Sequence, residues 1–124
     1  MSTKTRKQRR ATKRGVPCYL FVVPAAKLSQ LQLTLETMPL CAHGRVFVFA
    51  DSPAEVPVVG APARFCVTVH SSERVAEAVN AWAAEMLCGS PSRIIACIDE
   101  QPAVAEELKQ QSRFEGVELE FAAI

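Results

Sequence analysis

Apolar residues along this chain alternate between two spacings. CYLFVVP (18–24), RVFVFAD (45–51), RFCVTVH (64–70) and RIIACI (93–98) are short, nearly unbroken apolar runs, rich in β-branched and aromatic residues. Such runs suit strands buried on both faces. Between them, AAKLSQLQLTLETM sets Leu28, Leu31, Leu35 and Met38 at helical spacing. ERVAEAVNAWAAEML does the same with Val75, Ala78, Val79, Trp82 and Met86, so Trp82 reads as core. From Pro102 to about Phe114, Val104 and Leu108 share one face while Glu106 and Glu107 turn to solvent. VELEFAA (117–123) supplies a fifth strand.

Punctuation residues support these boundaries. Pro39 and LCAHG close the first helix, with Gly44 marking the turn, and Gly89 with Pro91 closes the second. Gly116 stops the third. SPAEVPVVGAPA (52–63) holds three prolines and a glycine, which argues against a helix of any length and predicts an extended connection crossing an edge of the sheet. Ser71 or Ser72 is placed to cap the second helix. Strands alternating with helices predict an α/β fold: an open, mostly parallel five-stranded sheet with helices on both faces.

Composition agrees with a single folded unit, since 124 residues with 49% hydrophobic content suffice for one core. No apolar run reaches the roughly 18 residues of a membrane span. CYLFVV follows a basic leader but lacks a small-residue cleavage site, so a cytoplasmic protein is expected.

The net charge of +1 hides an asymmetry. Lys4, Arg6, Lys7, Arg9, Arg10, Lys13 and Arg14 are half of all the basic residues, and the remaining chain carries seven bases against thirteen acids. Residues 1–15 are therefore expected to form a basic, disordered tail, and residues 16–124 a single α/β domain. The tail could attract nucleic acid or an anionic surface, but no aromatic is interleaved for base stacking, so a solubilising leader is favoured. Five cysteines occur without any CxxC or short Cys/His spacing, which gives no metal or disulfide motif. Cys18, Cys66 and Cys97 lie in expected strands and read as small buried residues of a reduced protein.

In open parallel sheets, ligands bind beyond the carboxyl ends of the strands, where strand order reverses. The turns of interest are thus VPAAKL (23–28), ADSPAE (50–55), VHSSER (69–74) and IDEQPA (98–103). VPAAKL has no glycine, yet Pro24 and Ala25 keep the turn compact and Lys27 adds a charge beside a helix start. VHSSER offers two hydroxyls, Ser71 and Ser72, with Arg74 for an anion and His70 at the strand end. IDEQPA carries Asp99 and Glu100, and Asp99 is expected to cap the next helix with Pro102 in its first turn. No Ser/His/Asp or Cys/His constellation is present, so no catalytic residue is assigned.

From VPAAKLSQL through HGRVFVFAD and FCVTVHSSER to IIACIDEQPAVAEEL, the chain resembles the C-terminal domain of the siderophore-interacting proteins. These are flavin-linked, NAD(P)H-dependent ferric-siderophore reductases. In that family a "DETALPA" turn opens the first helix, "P-G-x-x-V-x-V-F-V-E-V" forms the second strand, "W-L-H-R" ends the third and "A-G-E" follows the fourth. His70 matches the histidine of the third strand, and Glu100 matches the glutamate of the last turn. The resemblance implies a Rossmann-like sheet of the kind found in the C-terminal domain of ferredoxin reductases. Together with the chemistry of the strand-end turns, it gives the candidate cofactor contacts Pro24, Ala25, Lys27, His70, Ser71, Ser72, Arg74, Asp99 and Glu100.

The departures bear on function. VPAA replaces the acidic opening of the first turn, Ile98 or Asp99 stands at the family glycine, and the aromatic, Arg-containing closing tail is not expected, since the last residues read FAAI. A flavin-binding barrel is not expected within these 124 residues. The expected function is that of a stand-alone domain working with a flavin-binding reductase partner, with NADPH held weakly or not at all and no tightly bound cofactor. The alternative is a non-enzymatic interaction module using the basic tail. Self-association as a homodimer is the remaining partner considered.

Overall fold

The computed structural model describes residues 17–57, 60–89 and 93–123. The basic tail expected over 1–15 and the expected stop at Pro91 lie outside them.

Five strands form one parallel sheet in the order β3-β2-β1-β4-β5. They are β1 (Cys18–Pro24), β2 (His43–Ala50), β3 (Phe65–Ser71), β4 (Arg93–Ile98) and β5 (Glu118–Phe121). The helices are α1 (Leu28–Thr37), α2 (Val75–Gly89) and α3 (Pro102–Glu115), and short 3-10 turns cover Ala25–Lys27 and Pro53–Glu55.

Strand β1 lies at the centre because its side chains are apolar in both directions. Leu20 and Val22 join Phe47, Phe49, Ile94 and Ala96 beneath Val75, Val79 and Ala83 of α2 and Val104 and Leu108 of α3. Phe21 and Val23 point the other way, with Val46, Val48 and Phe65 beneath Leu31 and Leu35 of α1. The chain steps from β1 to β2 and β3 on one side, then returns to place β4 and β5 on the other. Right-handed crossovers running in opposite directions put their helices on opposite faces, as found here.

Several expectations need correction. The connection expected over 52–63 does not simply cross an edge, because Val56 and Ala61 pack onto the α1 face of the core. Cys66 is exposed, since β3 is an edge strand with nothing beyond it among the described residues. Gly44 lies inside β2 rather than in the turn. A Cβ there would come 2.0 Å from the carbonyl oxygen of Tyr19 on β1, so only glycine allows this approach. Arg64 ties the turn before β2, its Nε donating to the carbonyl of Ala42 at 2.7 Å and its Nη2 to that of Pro39 at 3.3 Å.

The close approach at Gly44 gives a test. Gly44→Ala is expected to lower stability by about 2–3 kcal/mol, because backbone on the facing strand must move. Gly116→Ala, at the left-handed end of α3 with open space around it, should cost only about 1 kcal/mol. Urea unfolding of the two variants should show this order, and equal midpoints would rule out the contact.

Candidate functional site

The reversal of strand order falls between β1 and β4, so their carboxyl ends border the crevice where open sheets bind ligands. The Asp99 amide donates to the Val22 carbonyl at 2.9 Å, carrying the β1–β4 pairing one residue past Ile98. This hydrogen bond fixes the base of the Asp99 side chain at the mouth of the crevice. From the other lip, the 3-10 turn after Pro24 delivers Lys27. Lys27 Nζ and Asp99 Oδ2 form an ion pair across the opening, and Oδ2 is hidden from solvent. The hydrogen bond that Lys27 donates to the Asp99 carboxylate raises the Lys27 pKa above its ordinary 10.5, and the charges of Asp99 and Glu100 add to the effect.

Beneath the pair lies a cleft of about 190 Å³, lined also by Gln30, Cys97 and Ala122. Burial raises the pKa of the Cys97 thiol, as it does for Cys18, which is pushed to about 11. Neither cysteine is a thiolate nucleophile at neutral pH.

Asp99 does not cap α3. The residue at the N-cap position is Gln101, and no side chain hydrogen-bonds to the helix start. Pro102 does occupy the first turn, as expected. The turn between β4 and α3 reverses direction at Glu100, whose φ of 58° is left-handed and favours glycine.

The second expected cluster sits two strands away, at the end of β3. Ser71 Oγ accepts from the Arg74 amide at 3.2 Å, while Ser72 Oγ donates to Asp51 Oδ1 at 3.1 Å. Both hydroxyls are thus engaged in local structure, and a carboxylate stands beside them. His70 is apart from both clusters. Its ring lies 5.5 Å from that of Phe47, and its Nε2 is 2.7 Å from Thr68 Oγ1. Burial, helped by the Arg45 charge, lowers its pKa below the ordinary 6.5. The Arg45 guanidinium itself lies 4.4 Å from the Phe47 ring centroid.

The fold therefore unites Pro24, Ala25, Lys27, Asp99 and Glu100 at one crevice. Ser71, Ser72 and Arg74 stand at a second position, and His70 at a third. Sequence reasoning missed Gln30, one helical turn beyond Lys27, and Asp51, the acid that follows β2. Both were legible as polar residues near strand ends, but nothing local indicated what they face.

The crevice does not suit a dinucleotide pyrophosphate. Pro24 has no N–H to offer, Ala25 brings a Cβ, Lys27 is taken by Asp99, and Glu100 adds negative charge. No protein-family model matches the sequence, and no curated protein does either. Among solved structures, it is similar to the siderophore-interacting protein SipS from Aeromonas hydrophila, with a TM-score of 0.63 at 18% identity. The chain shares its fold with a siderophore-interacting protein. The match covers 88% of this chain and 50% of SipS, so the chain spans about half the length of that protein. The shared architecture is the Rossmann-like open sheet with helices on both faces.

Two measurements test this geometry. Glu100→Gly is expected to stabilise the protein by about 0.5–1 kcal/mol, because relief of the left-handed strain exceeds the added freedom of the unfolded chain. An unchanged or lower melting temperature would contradict it. The raised pKa of Lys27 means that the ion pair contributes to stability below pH 10.5, and that this contribution is lost as pH rises through the higher folded value. Asp99→Asn should flatten that alkaline decline. A decline of the same steepness in the variant would assign it to other groups.

Proposed function

We propose that this chain is a siderophore-interacting-protein-like α/β module that acts beside a flavin-containing partner in ferric-siderophore or related reductase chemistry, with only weak affinity of its own for NAD(P)H. The Lys27–Asp99 ion pair, set at the switch-point crevice of a fold shared with SipS, carries this reading. In such chemistry the flavin accepts hydride, and that acceptor belongs to the partner. What this chain contributes is the crevice. Among the described residues the cation beside it is Lys27, which is held by Asp99, so a phosphate has to compete with a carboxylate already in place. Weak binding follows from that competition and from the missing glycine.

The test is an NADPH titration followed by amide NMR on the full chain. Wild-type protein should show small shifts confined to residues 24–28 and 98–103, with affinity in the millimolar range. Asp99→Asn frees Lys27 and removes a negative charge, and should tighten binding about tenfold, or roughly 1.4 kcal/mol. Absence of shifts in both proteins would sink the nucleotide part of the proposal. Failure of the chain to accelerate ferric-siderophore reduction by a flavin reductase would sink the partner part.

A further inference from the structure

We propose that the free edge of β5 is a docking site for an extended segment of a partner protein, one that alternates apolar and basic side chains and adds to the sheet as a sixth strand. It does not rest on the nucleotide reading: the free edge of β5 faces away from β4 and β1, although Ala122 at the end of that strand also lines the crevice cleft.

Backbone direction comes first. The Ala122 amide donates to the Ala96 carbonyl at 2.9 Å, so the polar groups of Ala122 face β4. Because direction alternates along a strand, those of Glu120 and Glu118 also face β4, while the N–H and C=O groups of Leu119 and Phe121 point away from it. Among the described residues no strand lies beyond β5. An edge with outward donors and acceptors is a template for strand addition.

The two faces of β5 then specify the partner. On the α3 side, Val117, Leu119 and Phe121 floor a groove of about 400 Å³ rimmed by Lys109, Ser112 and Arg113. Phe121 is 43% exposed, one of few large apolar side chains left in solvent, and Lys109 Nζ lies 5.4 Å from its ring centroid. Apolar side chains on that face of an incoming strand would cover Leu119 and Phe121. On the opposite face stand Glu118 and Glu120, both exposed. Arg93 reaches Glu120 at 2.9 Å, and no ion pair holds Glu118 among the described residues. Basic side chains on that face would meet this acidic pair across the strands.

The same charges argue against a second copy of this chain. Antiparallel pairing of two β5 strands that keeps their apolar faces together sets Glu118 opposite the other Glu120, or Glu120 opposite itself. Directly opposed carboxylates destabilise a sheet.

The experiment uses the isotope-labelled full chain and two synthetic octapeptides, one alternating Val and Lys, the other Val and Glu. The Val–Lys peptide should shift the amides of residues 117–122 and slow exchange of the Leu119 and Phe121 amides about tenfold. The Val–Glu peptide should bind at least fivefold more weakly. Phe121→Ala removes the apolar anchor, Phe121→Pro also removes an outward donor without touching the β4 ladder, and Glu118→Lys reverses the charge. Each should weaken Val–Lys binding at least fivefold, the proline variant most, whereas Leu40→Ala at a distant exposed site should leave it unchanged. Circular dichroism confirms folding of each variant. Equal binding of both peptides, no shifts at β5, or a concentration-dependent dimer whose shifts map to β5 would overturn the proposal.

Discussion

The burial of β1 on both faces is the constraint from which the rest of the architecture follows. A strand with apolar side chains in both directions cannot sit at an edge or lie open to water, so it needs a neighbour on each side and a helix layer above and below. One crossover through α1 supplies β2 and covers one face. The return through α2 and α3 supplies β4 and β5 and covers the other. The reversal of direction on either side of β1 leaves its carboxyl end and that of β4 without a connection between them, and the crevice is the geometrical result. It exists whether or not the chain uses it.

The residues that border this opening explain why it takes the form of a closed mouth. A backbone hydrogen bond from Asp99 to Val22 extends the central ladder by one residue and orients the carboxylate toward the opposite lip. There Lys27 meets it from a turn that carries prolyl and alanyl residues rather than glycine. The pair is partly exposed, so its value to stability is modest. Its effect on recognition is larger, because any anion approaching the helix start meets a neutralised lysine and the nearby Glu100. Electrostatics, more than lack of space, distinguishes this crevice from a phosphate site.

How much of this was legible in the sequence depended on the range over which each residue acts. The bounds of β1 and β4 were readable because an apolar run and a proline or an acidic turn are local signals. The alternation of elements gave the parallel sheet. The position of β3 at an edge is a property of strand order, which no local pattern carries, and so Cys66 appeared buried when it is exposed. Asp99 was misread for a related reason. The capping rule considers the next few residues, whereas its actual partner, Lys27, arrives from the other end of the chain's fold. Ser71, read with Ser72 as a candidate cap for α2, accepts from the amide of Arg74, the residue just before the helix begins. Gly44 looked like a turn residue until the approach of Tyr19 gave it a different purpose.

The two edges of the sheet manage their exposure differently. At β3, Arg45 donates to the carbonyl of Cys66 at 3.1 Å and lies over Phe47, while Thr68 and His70 bond to each other. One outer strand thus carries polar side chains engaged with their own neighbourhood. At β5, the carboxylates of Glu118 and Glu120 alternate with apolar side chains, and Arg93 satisfies only one of them. Charge on an edge strand usually serves to prevent pairing with copies of itself. The same carboxylates that discourage self-pairing leave the edge open to a strand of opposite charge. Specificity of this kind needs no rearrangement of the core, since the outward backbone groups and the α3 groove are set by the ladder with β4.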